Sequence, residues 1–230
     1  MPDDTPAPTE ISGPLAGVVK GALRRAVRGQ RGAAREYVAG IRRKHPQESP
    51  ARLRRRLDSR YLLAVSTSGA AVGTTAAVPG VGTVVGMGAI GAESLAFLEA
   101  TAFYTLAVAE VQGVDVGRQE HEEQLVLTIL LGASGTAILS RSVTVEGRST
   151  GSAATGRALQ LPGVRELNRR MATRFLRRFA VKRATLAMGK LAPAGIGAAV
   201  GAWGNRRLGR SVVETAHASF GAPPEDWPET

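Results

Sequence analysis

The chain contains no cysteine, which excludes disulfides and thiolate chemistry. Aromatic residues are scarce, at 4% of 230 positions, so an interior has to be assembled from Ala, Val, Leu and Gly. Only three histidines occur, His45, His121 and His217, and none has a second histidine four positions on. No nucleophile and base stand at a working spacing, so the sequence points to no catalytic residue, no metal ligand and no cofactor. Gln119-Glu120-His121-Glu122-Glu123 is too contiguous to hold a metal, because adjacent residues splay around a helix.

A further lack is local. From Tyr61 to Ala92 no residue is charged, and glycine, alanine, serine and threonine dominate. A run of this length is a buried core or a membrane segment. Pro79 and Gly80 should interrupt any helix there, since proline lacks the N–H and collides with the preceding turn. Two helical pieces hinged near Val78–Gly82 are expected, the second continuing through Glu93 and Glu99 to Gln112. Gly82 and Gly86 have the GxxxG spacing that lets backbones approach closely.

A similar signature recurs after Pro193, where Gly195, Ile196, Gly197 and Gly201 match Gly80, Val81, Gly82 and Gly86 at a constant offset. The two elements, with Pro79, Gly80, Gly82, Gly86, Pro193, Gly195, Gly197 and Gly201 as helix-packing hinges, are expected to press against each other. A phosphate-loop reading fails, because no Gly-Lys-Ser/Thr ending and no dinucleotide-fold context is present.

What the chain has in excess is positive charge, with a net +11. It is concentrated in two blocks, Lys20 to Arg60 and Arg165 to Lys190. Such a balance favours an anionic partner, either acidic lipid or nucleic acid. Arg54, Arg55 and Arg56 stand just before the uncharged run, the arrangement of cationic residues at the cytoplasmic end of an apolar segment. Arg170, Arg174, Arg177 and Arg178 flank the stripe Val164, Leu167, Met171, Phe175 and Phe179, the clearest amphipathic pattern in the chain. These seven arginines are the candidate contacts to an anionic surface. No reading helix is recognisable among the arginine-rich stretches, which disfavours nucleic acid.

The remaining organisation is helical. Residues 1–14 read as a disordered leader without the order of a signal peptide, and 15–60 as a basic helical region. Residues 61–220 read as the main helical domain, with a polar Ser/Thr/Gly-rich loop over 140–160, and 221–230 as a tail that Trp227 anchors. Ser49 is placed to cap a helix carrying the Arg52–Arg56 run, and Asp115 or Gly117 to cap the helix that starts with Glu120, Glu122 and Glu123. Glu93, Glu99 and Glu110, on an otherwise apolar helix, should each pair with an arginine or face solvent.

Ala76-Ala77-Val78-Pro79-Gly80-Val81-Gly82, Ala109-Glu110-Val111-Gln112-Gly113-Val114-Asp115, Leu125-Val126-Leu127 with Leu131-Gly132, and Gly195 to Gly201 with Asn205 resemble bacterial proteins of the EcsC type. The resemblance spans roughly Tyr61 to Phe220. It implies an α-helical protein with glycine-rich hairpins, often linked to the cytoplasmic membrane, and no established catalytic residues. The expectation is an all-α, non-enzymatic protein at the inner face of the cell membrane. The alternative is a soluble, basic, helical nucleic-acid-binding protein. Neither a protein partner nor an oligomeric state can be read from the residues.

Overall fold

The computed structural model describes residues 14–75, 84–132, 155, 168, 171–175 and 196–227. Among these residues the fold is all-α, with no strand. Five of its helices are α1 (Pro14–Lys44), α2 (Pro50–Thr75), α3 (Val84–Val111), α4 (Gln119–Leu131) and α5 (Ile196–Phe220), and residues 171–175 are helical as well.

α1 ends with Arg42, Arg43 and Lys44, cations that suit the negative end of a helix dipole. The chain then turns through His45–Ser49. Ser49 Oγ accepts from the Arg52 backbone N–H at 3.4 Å, and Pro50 fills the first helical position, where a missing N–H costs nothing. α2 is one continuous helix, so the boundary expected between residues 60 and 61 falls inside it. α1 and α2 share a core with the elements that follow.

α3 is the internal helix. α1 and α2 pack along it, and α4 and α5 also touch it. Its apolar residues are spread around its circumference rather than gathered on one face, as suits a helix packed by several neighbours. Phe97, Tyr104 and Val108 join Val38, Leu53, Leu57, Leu125, Val212 and Phe220 in one core cluster. Leu98 and Ala102 join Leu23, Val27, Val126, Leu127, Met171 and Phe175 in a second. Full burial of each large aliphatic or aromatic side chain contributes about 1.5–3 kcal/mol. The segment Ala92–Val111 is long and apolar enough to cross a membrane, with mean hydropathy 1.3, yet 61% of that window is buried inside this fold.

α4 starts at Arg118, which occupies the N-cap with no side-chain hydrogen bond. The expected caps serve differently: Asp115 Oδ1 accepts from the Gly117 N–H at 2.8 Å and shapes the turn before the helix. α4 stops at Gly132, whose φ of 63° suits glycine.

α2 and α5 form the most intimate pair. They run antiparallel, since Gly69 lies against Gly201 while Gly209 lies against Val65 and Leu62. A β-carbon on Gly69 would fall 2.4 Å from the Gly201 carbonyl oxygen and 2.8 Å from Asn205 Nδ2. The second glycine-rich segment therefore closes on α2. Its meeting with α3 includes Asn205, whose Nδ2 donates to the buried Glu93 Oε1 at 2.7 Å. Pro79, Gly80, Gly82, Pro193 and Gly195 lie outside the described residues, as does the 140–160 loop apart from Thr155. α2 ends and α3 begins on either side of the expected break, and Gly86 and Gly197 lie within helices α3 and α5.

Candidate functional site

One cleft of about 400 Å³ opens between α1, α2 and α3. α1 supplies Gln30 and Tyr37; α2 supplies Leu57, Arg60, Tyr61 and Ala64; α3 supplies Ala96, Glu99, Ala100, Phe103 and Tyr104. All three tyrosines of the chain thus converge here from three helices. Alanines at 64, 96 and 100 leave the space that larger side chains would fill.

The aromatic walls are held rigidly. Tyr61 and Tyr104 stack with centroids 4.7 Å apart, and Tyr37 meets Phe103 edge-on at 5.6 Å. Thr101 Oγ1 donates to the Phe97 carbonyl at 2.7 Å, so its proton is committed, and the 2.9 Å bond from the Tyr61 hydroxyl has Tyr61 as donor. The Tyr104 hydroxyl donates to Asp58 Oδ1 at 2.7 Å, and Asp58 Oδ2 lies 2.9 Å from His217 Nε2. This chain of contacts joins α3, α2 and α5. Burial, followed by the charge of Asp58 and its hydrogen bond, pushes the ionisation of Tyr104 far above the ordinary tyrosine range. Tyr104 is therefore a fixed donor. At the rim, Arg60 Nη1 donates to the Tyr37 hydroxyl at 2.6 Å, with its guanidinium 5.8 Å from the Tyr37 ring centre.

The arginines expected at an anionic surface separate into distinct environments. Arg54 is only 2% exposed and cannot reach such a surface. Its Nη1 donates to the Gly221 carbonyl, tying the tail to α2, while Nε and Nη2 are buried without a hydrogen bond among the described residues. Desolvation lowers its pKa, opposed by the fields of Tyr104 and Asp58. This corrects the expectation. The basic run does not form one outward face, because the turn of the helix carries Arg54 inward with Leu53 and Leu57. Arg55 is exposed, and Arg56 is half-buried with Nη2 3.1 Å from Glu48 Oε1. Arg174 is exposed beside the buried Met171 and Phe175. Arg170, Arg177 and Arg178 lie outside the described residues.

Three basic residues of α1 are engaged with acids. Arg24 reaches Glu123 at 3.4 Å, Arg31 reaches Glu122 at 2.8 Å and Arg35 reaches Glu110 at 3.6 Å. Glu122 is nearly fully buried, and desolvation pushes its pKa up despite Arg31 and Arg35. The acids at the start of α4 therefore clamp α1 as well as meeting the helix dipole.

Sequence reasoning passed over one surface. On α5, Trp203, Arg206, Arg207 and Arg210 are all exposed, and their three- and four-residue spacing puts them on one face. Trp203 is 60% exposed, and the Arg207 guanidinium lies 5.5 Å from its ring centre. The spacing Trp-x-x-Arg-Arg-x-x-Arg was the available signal. On the paired helix α2, Leu63 is 62% exposed.

No protein-family model, curated protein or solved structure matches the chain. The EcsC resemblance accordingly rests on the residues that carry it.

Proposed function

We propose that this protein is a non-enzymatic helical protein that binds the anionic cytoplasmic face of a membrane from the side, and that it is related to EcsC-type proteins. The observation that carries the reading is the α5 face, where the exposed Trp203 stands among Arg206, Arg207 and Arg210. Tryptophan favours the headgroup level of a bilayer, where its ring is apolar and its N–H is wet. Each cation near an anionic surface contributes about 1 kcal/mol, and Arg55 and Arg174 add to the total. Among the described residues, one apolar helix of spanning length is compatible with membrane association, but its burial by α1 and α2 favours attachment at the surface over insertion of α3.

The test is co-sedimentation with phosphatidylglycerol-containing vesicles and with neutral phosphatidylcholine vesicles, at low and high salt. Binding should require the anionic lipid and weaken with salt. Substituting Trp203→Ala together with Arg206→Gln, Arg207→Gln and Arg210→Gln should abolish it while the helical circular dichroism is retained. Indifference to anionic vesicles would sink the reading, and salt-sensitive binding to duplex DNA instead would establish the nucleic-acid alternative.

A further inference from the structure

Four of the chain's ten aromatic side chains, Tyr37, Tyr61, Phe103 and Tyr104, line one cavity, and that cavity has polar groups of both signs at its edge. Tyr61, Phe103 and Tyr104, with Leu57, make an apolar interior. Its volume, about 400 Å³, lies near the lower end of the range of small-molecule sites, which suits one slender chain better than two. An apolar cavity left open forfeits the contacts its lining atoms would otherwise make. Ala64 and Ala96 line it and are themselves exposed, so the cavity opens to the outside between α2 and α3.

The rim is chemically asymmetric. Arg60 is held in place by its bond to Tyr37, and Glu99 faces the same space from α3. An anion alone would satisfy Arg60 and be repelled by Glu99. A head that presents an anion together with hydroxyl donors satisfies both. Leu63, 62% exposed, adjoins Ala64 and lies three residues from Arg60 on α2, so the approach to the mouth is itself apolar.

We propose that the cleft between α1, α2 and α3 binds a single-chain phospholipid, its acyl chain among Tyr61, Phe103 and Tyr104, its phosphate at Arg60 and its headgroup hydroxyls at Glu99. The site stands apart from the α5 face and needs no bilayer. It goes beyond surface attachment, and the two can fail separately.

The experiment is isothermal titration of the full chain with monomeric palmitoyl-lysophosphatidylglycerol, below its micelle concentration and without vesicles. Palmitate and monopalmitoylglycerol serve as comparison ligands. One lysophosphatidylglycerol should bind per chain, about tenfold more tightly than palmitate, which lacks the donors, or monopalmitoylglycerol, which lacks the phosphate. Arg60→Gln should erase the preference for the phosphate-bearing lipid over monopalmitoylglycerol. Ala96→Phe, and separately Ala64→Phe, should each weaken all three ligands by about tenfold or more, because the ring occupies the cavity from a position with room to accept it. Circular dichroism melting establishes that each variant is folded. Absence of lysophosphatidylglycerol binding overturns the proposal. So does binding that survives both phenylalanine substitutions in folded protein, or a headgroup preference that survives Arg60→Gln.

Discussion

Gly69 and Gly201 meet backbone to backbone, with space for a hydrogen atom where a side chain would begin: a β-carbon on Gly69 would lie 2.4 Å from the Gly201 oxygen. Such contact is how a chain poor in bulky residues brings α2 and α5 together. Gly69→Ala should destabilise the protein by about 2 kcal/mol, since overpacking outweighs alanine's better helix propensity. Gly29→Ala and Gly32→Ala on α1 meet nothing within 4 Å and should each stabilise by about 0.5–1 kcal/mol. Urea denaturation of the three variants checks the contrast, and equal effects would refute the close-contact account.

Glu122 gives a pH dependence of definite sign. Its folded-state pKa is raised by burial, so its contribution to stability is greatest when it is protonated and falls as pH rises. The stability of Glu122→Gln relative to wild type should therefore increase from about pH 4 to neutral. Denaturation at a series of pH values measures this. A variant that grows relatively weaker with rising pH would mean that the Arg31 pair dominates.

Tyr104 and Asp58 make a short, charge-assisted bond inside the helical framework. Tyr104→Phe should cost about 1–3 kcal/mol, and more than Tyr61→Phe, whose lost partner is the neutral Thr101 hydroxyl. A double-mutant cycle with Asp58→Asn should return a favourable coupling for the Tyr104 pair. Additive effects would show that the two side chains do not act together.

The tail is pinned to the elbow between α1 and α2. Trp227 Nε1 donates to the Glu48 carbonyl at 2.9 Å, and the Arg42 guanidinium lies 4.8 Å from the indole centre. Trp227→Ala should lower stability by about 1–2 kcal/mol and open residues 221–227 to limited proteolysis ahead of the helices. Unchanged cleavage would mean that the Arg54 contact to Gly221 holds the tail alone.

Much of the helical framework could be read from local pattern. The apolar run of α3, the Ser49 cap and the Trp227 anchor all follow from spacing and residue type, and each has its counterpart in the fold. What could not be read depends on contacts between distant segments. Gly69 finds Gly201 because α2 and α5 cross there, whereas GxxxG spacing marks a glycine as able to pack without choosing its partner. Arg54 turns inward because the tail returns to meet it. The cleft gathers Tyr37, Tyr61 and Tyr104 from three helices, so no window of sequence contains it. Trp203 was legible as a type and position, but its exposure follows from which side of α5 faces α2.

The two tryptophans occupy opposite circumstances, Trp203 bare beside arginines and Trp227 clasped under Arg42 at the elbow. The protein therefore carries a pair of intrinsic fluorophores in separate surroundings. With Trp227 replaced by Phe, the emission colour follows what happens on the outer side of α5. With Trp203 replaced instead, it follows the release of the tail, so one instrument can watch docking and loosening as independent signals.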